Sequence, residues 1–339
     1  MSHNHVRKIA IVGPSFAITA ITRAGAATPL ALPDGVRAAE VDYDDRASLV
    51  RALAGHDVLV VTLAAAAPEG TQERLVEAAA EARVGYILPN FWGVDTAEYV
   101  TPTYSPSLWP TGAAEDMEKG KALLTSSPAP SDQLSADVLL GLRQRAACRL
   151  VSDLGASAWV GVVTSFWYEM SLASPWAFGM DYEARKWTFY DDGETRINVI
   201  TLPQSGRAVA NLLSLPIESE TGPSLSGFKN GLVYAASFCV SQRDMFESVL
   251  RVTGTTASDW SIIYESSAQR FADGQKQMAD GDMAGFGKLL YSRVFFKDGS
   301  GNFEARRGLH NDVLGLEEEE LDDFTKIAIA RIELGSTYP

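Results

Sequence analysis

The residues able to carry chemistry are few and scattered. Four histidines (His3, His5, His56 and His310) never fall at metal-ligand spacing, and no nucleophile-elbow or P-loop pattern occurs. No metal site is expected: His56 reads as a surface residue of a helix-to-strand turn, and His3 and His5 as part of a polar N-terminus. Cys148 and Cys239 are too few for a disulfide framework or a cysteine zinc site and fit a reducing compartment. The informative residues open the chain. Lys8-Ile-Ala-Ile-Val-Gly13 reads as the first strand of a dinucleotide-binding sheet and Thr19-Ala-Ile-Thr-Arg23 as its second. In such a sheet an arginine ending the second strand can pair with a ribose 2′-phosphate and favour NADP over NAD. Arg23 is assigned that role, the plain alternative being an ordinary exposed arginine at a strand end.

Alternating elements must hold these residues in place. β-rich runs at 9–12 and 16–21, a strand from Val36 to Asp42, a helix over Asp44 to Leu53 ended by Gly55, a buried strand at Asp57-Val-Leu-Val-Val-Thr62, a helix from about Thr71 to Ala82 and a strand at Tyr86-Ile-Leu88 imply βαβ units. Residues 101–135 hold five prolines and ten Ser/Thr with no helical or strand period, which reads as a surface excursion or, alternatively, a lid. Regular patterning returns with a helix from Ala136 to Leu154 and a strand at Trp159 to Thr164. Lys186–Tyr190 and Arg196–Leu202 flank Asp191-Asp-Gly193 as a hairpin signal, and Ser241-Gln-Arg-Asp244 reads as a capping box. The acidic run Glu317–Glu320 reads as the solvated start of a last helix reaching Glu333, complementing its macrodipole.

Composition bounds the partners. The 339 residues are 46% hydrophobic and 21% charged, a globular balance with room for one large domain or two moderate ones. A net charge of −14 without a basic run argues against nucleic acid and anionic membranes. No signal-peptide or transmembrane pattern is found, so a cytoplasmic location is expected.

The chain resembles fungal NmrA-like and isoflavone reductase-like proteins, atypical members of the short-chain dehydrogenase superfamily. The resemblance rests on Ile18–Arg23, Val36–Leu63, Tyr86-Ile-Leu-Pro-Asn-Phe-Trp-Gly93, Ser165-Phe-Trp-Tyr-Glu-Met-Ser-Leu172, Gln204–Leu213, Ser241–Asp244 and Asn311-Asp-Val-Leu-Gly315, in that order. It implies an α/β fold: a Rossmann-like doubly wound parallel sheet with an interwoven C-terminal α/β substrate region. It also implies an NADP(H) site at the C-terminal edge of the sheet and reduction of a small, often aromatic, molecule. By the same resemblance Gly13 belongs to the cofactor turn, Leu63 and Ala64 line the adenine side, and Pro89, Asn90 and Phe91 lie near the nicotinamide. Phe166, Trp167 and Tyr168 shape the substrate pocket, with core packing as the competing reading. The expected division is residues 1–100 for the dinucleotide-binding part, 101–135 for the irregular insertion, and 136–339 for the rest of the sheet and the substrate region.

Two departures from the family pattern stand out. Gly13 is followed by Pro14-Ser15 and then by the next strand, so the first crossover helix, whose N-terminus holds the pyrophosphate, is missing. The two segments are then expected to form a hairpin, to merge, or to lose the first strand from the sheet. The family's lysine, counted back from Gly155, falls at Gln144, whose amide does not titrate near neutral pH. A one-residue shift would place Arg143 or Arg145 there, and Tyr168 is the substitute weak acid. The expectation is an NmrA-like, NADPH-dependent oxidoreductase homologue with its phosphate turn and catalytic lysine position both altered. The alternative is a non-catalytic NmrA-like regulator or interaction protein, with a protein partner in place of turnover.

Overall fold

Short β-branched runs separated by capped helices dictate a layered α/β chain, and a computed structural model describes residues 8–10, 16–25, 32–63, 67–97, 136–282 and 284–335. The first part runs β1 (Lys8–Ala10), β2 (Ala17–Arg23), β3 (Arg37–Val41), α1 (Arg46–Leu53), β4 (Val58–Val60), α2 (Thr71–Glu81) and β5 (Tyr86–Leu88). It continues with α3 (Ala136–Leu154), β6 (Ala158–Val163), β7 (Phe166–Trp167), α4 (Tyr168–Leu172), α5 (Pro175–Phe178), β8 (Met180–Asp181), β9 (Lys186–Tyr190), β10 (Ile197–Ile200) and α6 (Leu202–Ser214). The remainder is β11 (Gly231–Tyr234), β12 (Phe238–Val240), α7 (Gln242–Thr253), β13 (Ser261–Glu265), α8 (Ser267–Ala279), α9 (Ala284–Arg293), α10 (Phe303–Arg307) and α11 (Leu321–Glu333).

Among the described residues the main sheet has the order β3-β2-β1-β4-β5-β6-β11, and every neighbouring pair is parallel. The order reverses between β1 and β4, the switch point at which doubly wound sheets open a crevice. Strand alternation sorts the core into two faces. Leu59, Val61, Ile87, Trp159 and Val163 pack with Leu49 and Leu53 of α1, Val76 of α2 and Val151 of α3. Val58, Val60, Leu88, Val160 and Val162 pack with Ala208 and Leu212 of α6. The C-terminal region builds a third core around Phe178, Trp187, Phe189 and Phe295. The α/β class with a doubly wound parallel sheet is therefore as expected.

Three sequence expectations change. First, β1 forms no hairpin with β2, does not merge with it and is not lost: the two are parallel neighbours in the register Lys8↔Ala17 and Ile9↔Ile18. Because β1 is so short, the chain has to travel back only about 7 Å and one strand spacing, well within reach of a few residues. Second, β9 and β10 are no hairpin: β9 pairs with β8 and β13, and β10 with β7 and β12. Asp191, with φ 53°, turns the chain away, and its carboxylate accepts from Ser267 N (3.1 Å) at the start of α8. Third, α11 begins only at Leu321, and the side chain of Glu319 in the acidic run is only 8% exposed, accepting from Thr201 Oγ1 (2.9 Å) and Ser237 Oγ (2.6 Å) and pairing with Arg207. Gly13, Ala64 and the stretch 101–135 lie outside the described residues. The capping box does form on α7: Ser241 Oγ accepts from Asp244 N (3.2 Å) while the Asp244 carboxylate accepts from Ser241 N (2.9 Å), and Gly254 closes the helix at φ 65°.

Candidate functional site

The C-terminal ends of β2, β4, β5 and β6 define the candidate site. At the outer end stands Arg23, the last residue of β2, exposed and with no hydrogen bond or ion pair among the described residues. Beside it, Tyr43 follows β3; burial pushes its phenol up, and the nearby Arg23 charge partly offsets that. Arg74 of α2 donates to Tyr43 O (2.9 Å) and pairs with Asp44 (3.3 Å). Tyr43 and Arg74 were not read from the sequence, although the Asp42-Tyr43-Asp44-Asp45 run directly after a strand was the available signal.

Further in, the ends of β4 and β5 are laced together by side chains. Asn90 Oδ1 accepts from Leu63 N (3.3 Å) and Asn90 Nδ2 donates to Leu63 O (3.0 Å), so one amide imitates a strand partner. Asn90 N donates to Gln72 Oε1 (2.9 Å), and Trp92 Nε1 donates to Val61 O (2.7 Å). Leu63 and Asn90, assigned to opposite ends of the cofactor, are thus bonded to each other, and the amide of Asn90 is already engaged. Pro89 is buried, and Phe91 is fully buried, stacked on Trp159 with ring centroids 6.5 Å apart. Phe91 is therefore a core residue beneath the edge and not a wall of the crevice.

The loop after β5 meets α3 and β6. Thr96 donates to Gln144 Oε1, and both side chains are buried. Gln144 thus stands at this edge, held by a neutral hydrogen bond that offers no proton to a substrate. Asp95, missed in the sequence, accepts from Tyr234 Oη (3.1 Å) and from Arg307 Nε (3.2 Å), tying the loop to β11 and α10. Ser165 N donates to Gly93 O (2.8 Å), and Ser165 sits at φ 57°, a left-handed conformation that costs a non-glycine residue energy and swings the chain from β6 into β7.

The aromatic run after that turn divides. Phe166 is buried and stacked on Tyr291 with centroids 3.9 Å apart, which is the packing role. Trp167 is half-buried and, like Trp92, packs against the core of Val58, Val60 and Leu88. Tyr168 points the other way. It is fully buried, its hydroxyl lies 2.7 Å from Thr325 Oγ1 of α11, and burial pushes its phenol far above the usual range. A proton donor needs access and a pKa near the working pH, and Tyr168 has neither. Glu169, unnoticed in the sequence, is buried with Oε1 accepting from Leu202 N (2.9 Å) at the start of α6, and burial raises its pKa.

Among the described residues no group of three or more His, Cys, Asp or Glu could hold a metal, and no helix is long and apolar enough to cross a membrane. An open depression lined by Asp191, Ser267, Ala268, Phe296, Lys297 and Asp298 shares no residue with the β2/β4/β5/β6 edge.

No family model matches the chain. Among curated proteins, oxidoreductase aprR of Aspergillus flavus is 21% identical over 309 residues, covering 91% of this chain and 88% of that protein. Among solved structures, AtPrR2 with NADP+ and (+)pinoresinol superposes with a TM-score of 0.66 at 13% identity, covering 97% of this chain and 99% of that one. Isoflavone reductase gives a TM-score of 0.63 at 14% identity over 96% and 99% of the two chains. The NADPH-dependent quinone oxidoreductase QOR2 from Escherichia coli gives 0.54 at 16% identity over 93% and 90%. The likeness spans most of the chain, which thus shares the fold of these reductase structures.

Proposed function

We propose that the protein is an NADP(H)-binding oxidoreductase of a small, aromatic molecule, with the cofactor seated at the C-terminal edge between β2 and β6. The single observation that carries the reading is Arg23: a guanidinium with no hydrogen bond or ion pair among the described residues, at the open end of the strand next to the β1/β4 switch point, where the ribose of a dinucleotide would lie. The neighbouring structures with NADP+ or NADPH support the same reading.

The residues fit the two halves of the cofactor unequally. Arg23, with Tyr43 nearby, suits the adenosine phosphate, and the backbone at Leu63 suits the adenine side. The pyrophosphate would find no crossover helix after β1, because only residues 11–16 separate β1 from β2. The nicotinamide, when bound, supplies the hydride. Gln144 is held by Thr96 and Asn90 by Leu63, and neither side chain is an acid, so the proton for a reduced product would come from solvent water. In this reading residues 136–339 supply the substrate side through Trp167.

A second reading, a non-catalytic NmrA-like regulator or interaction protein that binds the same cofactor, is favoured by the Thr96–Gln144 hydrogen bond, which occupies the expected catalytic position with a neutral pair. Titration with NADPH and NADH, followed by nicotinamide fluorescence, tests the cofactor. Arg23→Ala is expected to weaken NADPH about tenfold, ~1.4 kcal/mol, and to leave NADH unchanged. No binding, or equal losses for both nucleotides, would refute the proposal. Binding without NADPH oxidation across a panel of quinones and aromatic carbonyls selects the second reading.

A further inference from the structure

The outer strand β13 of the sheet β13-β9-β8 is an edge with a defined set of open backbone groups. It runs parallel to β9 from Ser261↔Lys186 to Glu265↔Tyr190. Ser261 N donates to Arg185 O (2.8 Å), and Glu265 O accepts from Asp191 N (2.8 Å). Residues 261, 263 and 265 therefore turn their main-chain groups toward β9. By the alternation of a parallel ladder, the N–H and C=O of Ile262 and Tyr264 point outward. No group among the described residues bonds them. The side chains leave the edge open as well: Ile263 is 39% exposed and Tyr264 60%. The strand Ser-Ile-Ile-Tyr-Glu has no proline or lysine of the kind that blunts a solvent-facing edge.

We propose that β13 is a homodimer contact, pairing antiparallel with β13 of a second copy about a two-fold axis at Ile263. The pattern of open groups fixes this register. Ile262 falls opposite Tyr264 of the second copy, and because both carry outward N–H and C=O groups, each such pair closes two hydrogen bonds. The symmetry repeats the pair, so the edge is saturated from end to end. Ile263 then faces its own equivalent in the close, non-hydrogen-bonded position, where cross-strand side chains stand about 4.5–5.5 Å apart. Glu265 of one copy, whose carboxylate pairs with Arg270 of its own chain (3.2 Å), falls opposite Ser261 of the other, with the exposed Lys186 beside Ser261 on the same face of the sheet. No two charges within the strand stand opposite each other, and the two-fold closes the assembly without leaving a new edge. The continuous sheet would have the order β8-β9-β13-β13-β9-β8. A contact made mainly by one five-residue strand from each copy lies at the small end of specific interfaces, so a reversible, concentration-dependent dimer is expected.

Sedimentation equilibrium of the full chain from about 1 µM to about 1 mM reads the association directly. The weight-average mass is expected to climb toward twice that of the monomer. Ile263→Lys, which sets like charges against each other on the axis, and Tyr264→Pro, which removes an outward N–H at an exposed position, are each expected to raise the dissociation constant at least about tenfold with an unchanged far-UV spectrum. With Cys239→Ser as background, Ile263→Cys is expected to give a disulfide-linked dimer on mild oxidation, whereas Ile262→Cys, whose opposite residue is not itself, is not. A chain that stays monomeric across the range, a dimer that both edge variants leave intact, or failure of Ile263→Cys to cross-link would each overturn the proposal. So would a monomer that instead captures an added extended peptide along this edge.

Discussion

Tyr168 separates a packing role from a catalytic one by the size of two substitutions. Its hydroxyl, Thr325 Oγ1, Ser248 Oγ and Asp322 Oδ1 form a chain with three successive separations of 2.7 Å, and Tyr168 and Thr325 are both fully buried. Asp322 can only accept, so the chain is satisfied when Ser248 donates to Asp322, Tyr168 donates to Thr325, and the single Thr325 proton goes to Ser248 or to Leu321 O (3.1 Å); the Asp322 carboxylate also receives Arg251 Nε at 2.9 Å. Tyr168→Phe removes the first donor and leaves every remaining donor with its acceptor, so the cost is that of one net hydrogen bond, about 1 kcal/mol. Thr325→Val strands the phenol proton at a fully buried position and also removes the hydroxyl that bonds Ser248 and Leu321 O, so it costs about 2–3 kcal/mol. In the double variant the stranded group is gone, and the total should fall short of the sum by about 1 kcal/mol. Equilibrium urea unfolding followed by tryptophan fluorescence measures all three. The reasoning fails if Tyr168→Phe costs as much as Thr325→Val. It also fails if Tyr168→Phe lowers turnover by a hundredfold or more at unchanged stability, which is the signature of a proton donor.

Three other substitutions test packing and electrostatics. A Cβ at Gly161 would stand 2.6 Å from Leu232 Cδ2 and 3.0 Å from Phe91 Cδ1, so Gly161→Ala should cost about 1–3 kcal/mol in the same unfolding assay; Gly206→Ala, exposed in α6 with nothing within 4 Å, should gain about 0.5–1 kcal/mol. Burial holds the His310 pKa below its usual value, and its Nδ1 accepts from Tyr234 N at 3.0 Å. The unfolded chain therefore takes up that proton first, and stability should decline as pH falls through the ordinary histidine value of 6.5; His310→Asn, which keeps an acceptor for Tyr234 N, should flatten that part of the curve measured by thermal melts between pH 5 and 8.

Helices and buried strands could be read from the sequence because their signals are local. The bounds of α3 coincide with the 3.6-residue pattern ended by Gly155, and the α7 cap is written in Ser241 and Asp244. What could not be read was pairing between distant segments. The Asp191-Asp-Gly193 turn has hairpin chemistry, but β9 takes its parallel partner from β13, some seventy residues on, and the carboxylate of Asp191 serves α8 instead. At the candidate site, strand-end positions such as Arg23 and Leu63 were accessible because the ends of buried strands define the edge. Phe91 and Tyr168 were not, since an aromatic residue after a buried strand has the same sequence signature whether it lines a crevice or fills a core. Glu319 illustrates the same limit for charge: three neighbouring carboxylates suggest a solvated face, and only the fold turns this one inward against Thr201 and Ser237.

The shortness of β1 has a consequence for how the sheet comes apart. β1 is central in order, yet it is joined to β2 through Lys8↔Ala17 and Ile9↔Ile18 and to β4 through Ile9↔Val58 and Ala10↔Leu59, whereas β2 and β3 are in register over five residues. A sheet with so narrow a waist should open in two stages, the β2–β3 ribbon releasing before the β4–β5–β6 body. Amide exchange would then show the ribbon as a separate, less protected cooperative unit. Arg23 rides on that ribbon, so an anion bound there would slow its exchange at a distance from the rest of the core, making the grip on the ligand and the integrity of half the sheet a single coupled equilibrium.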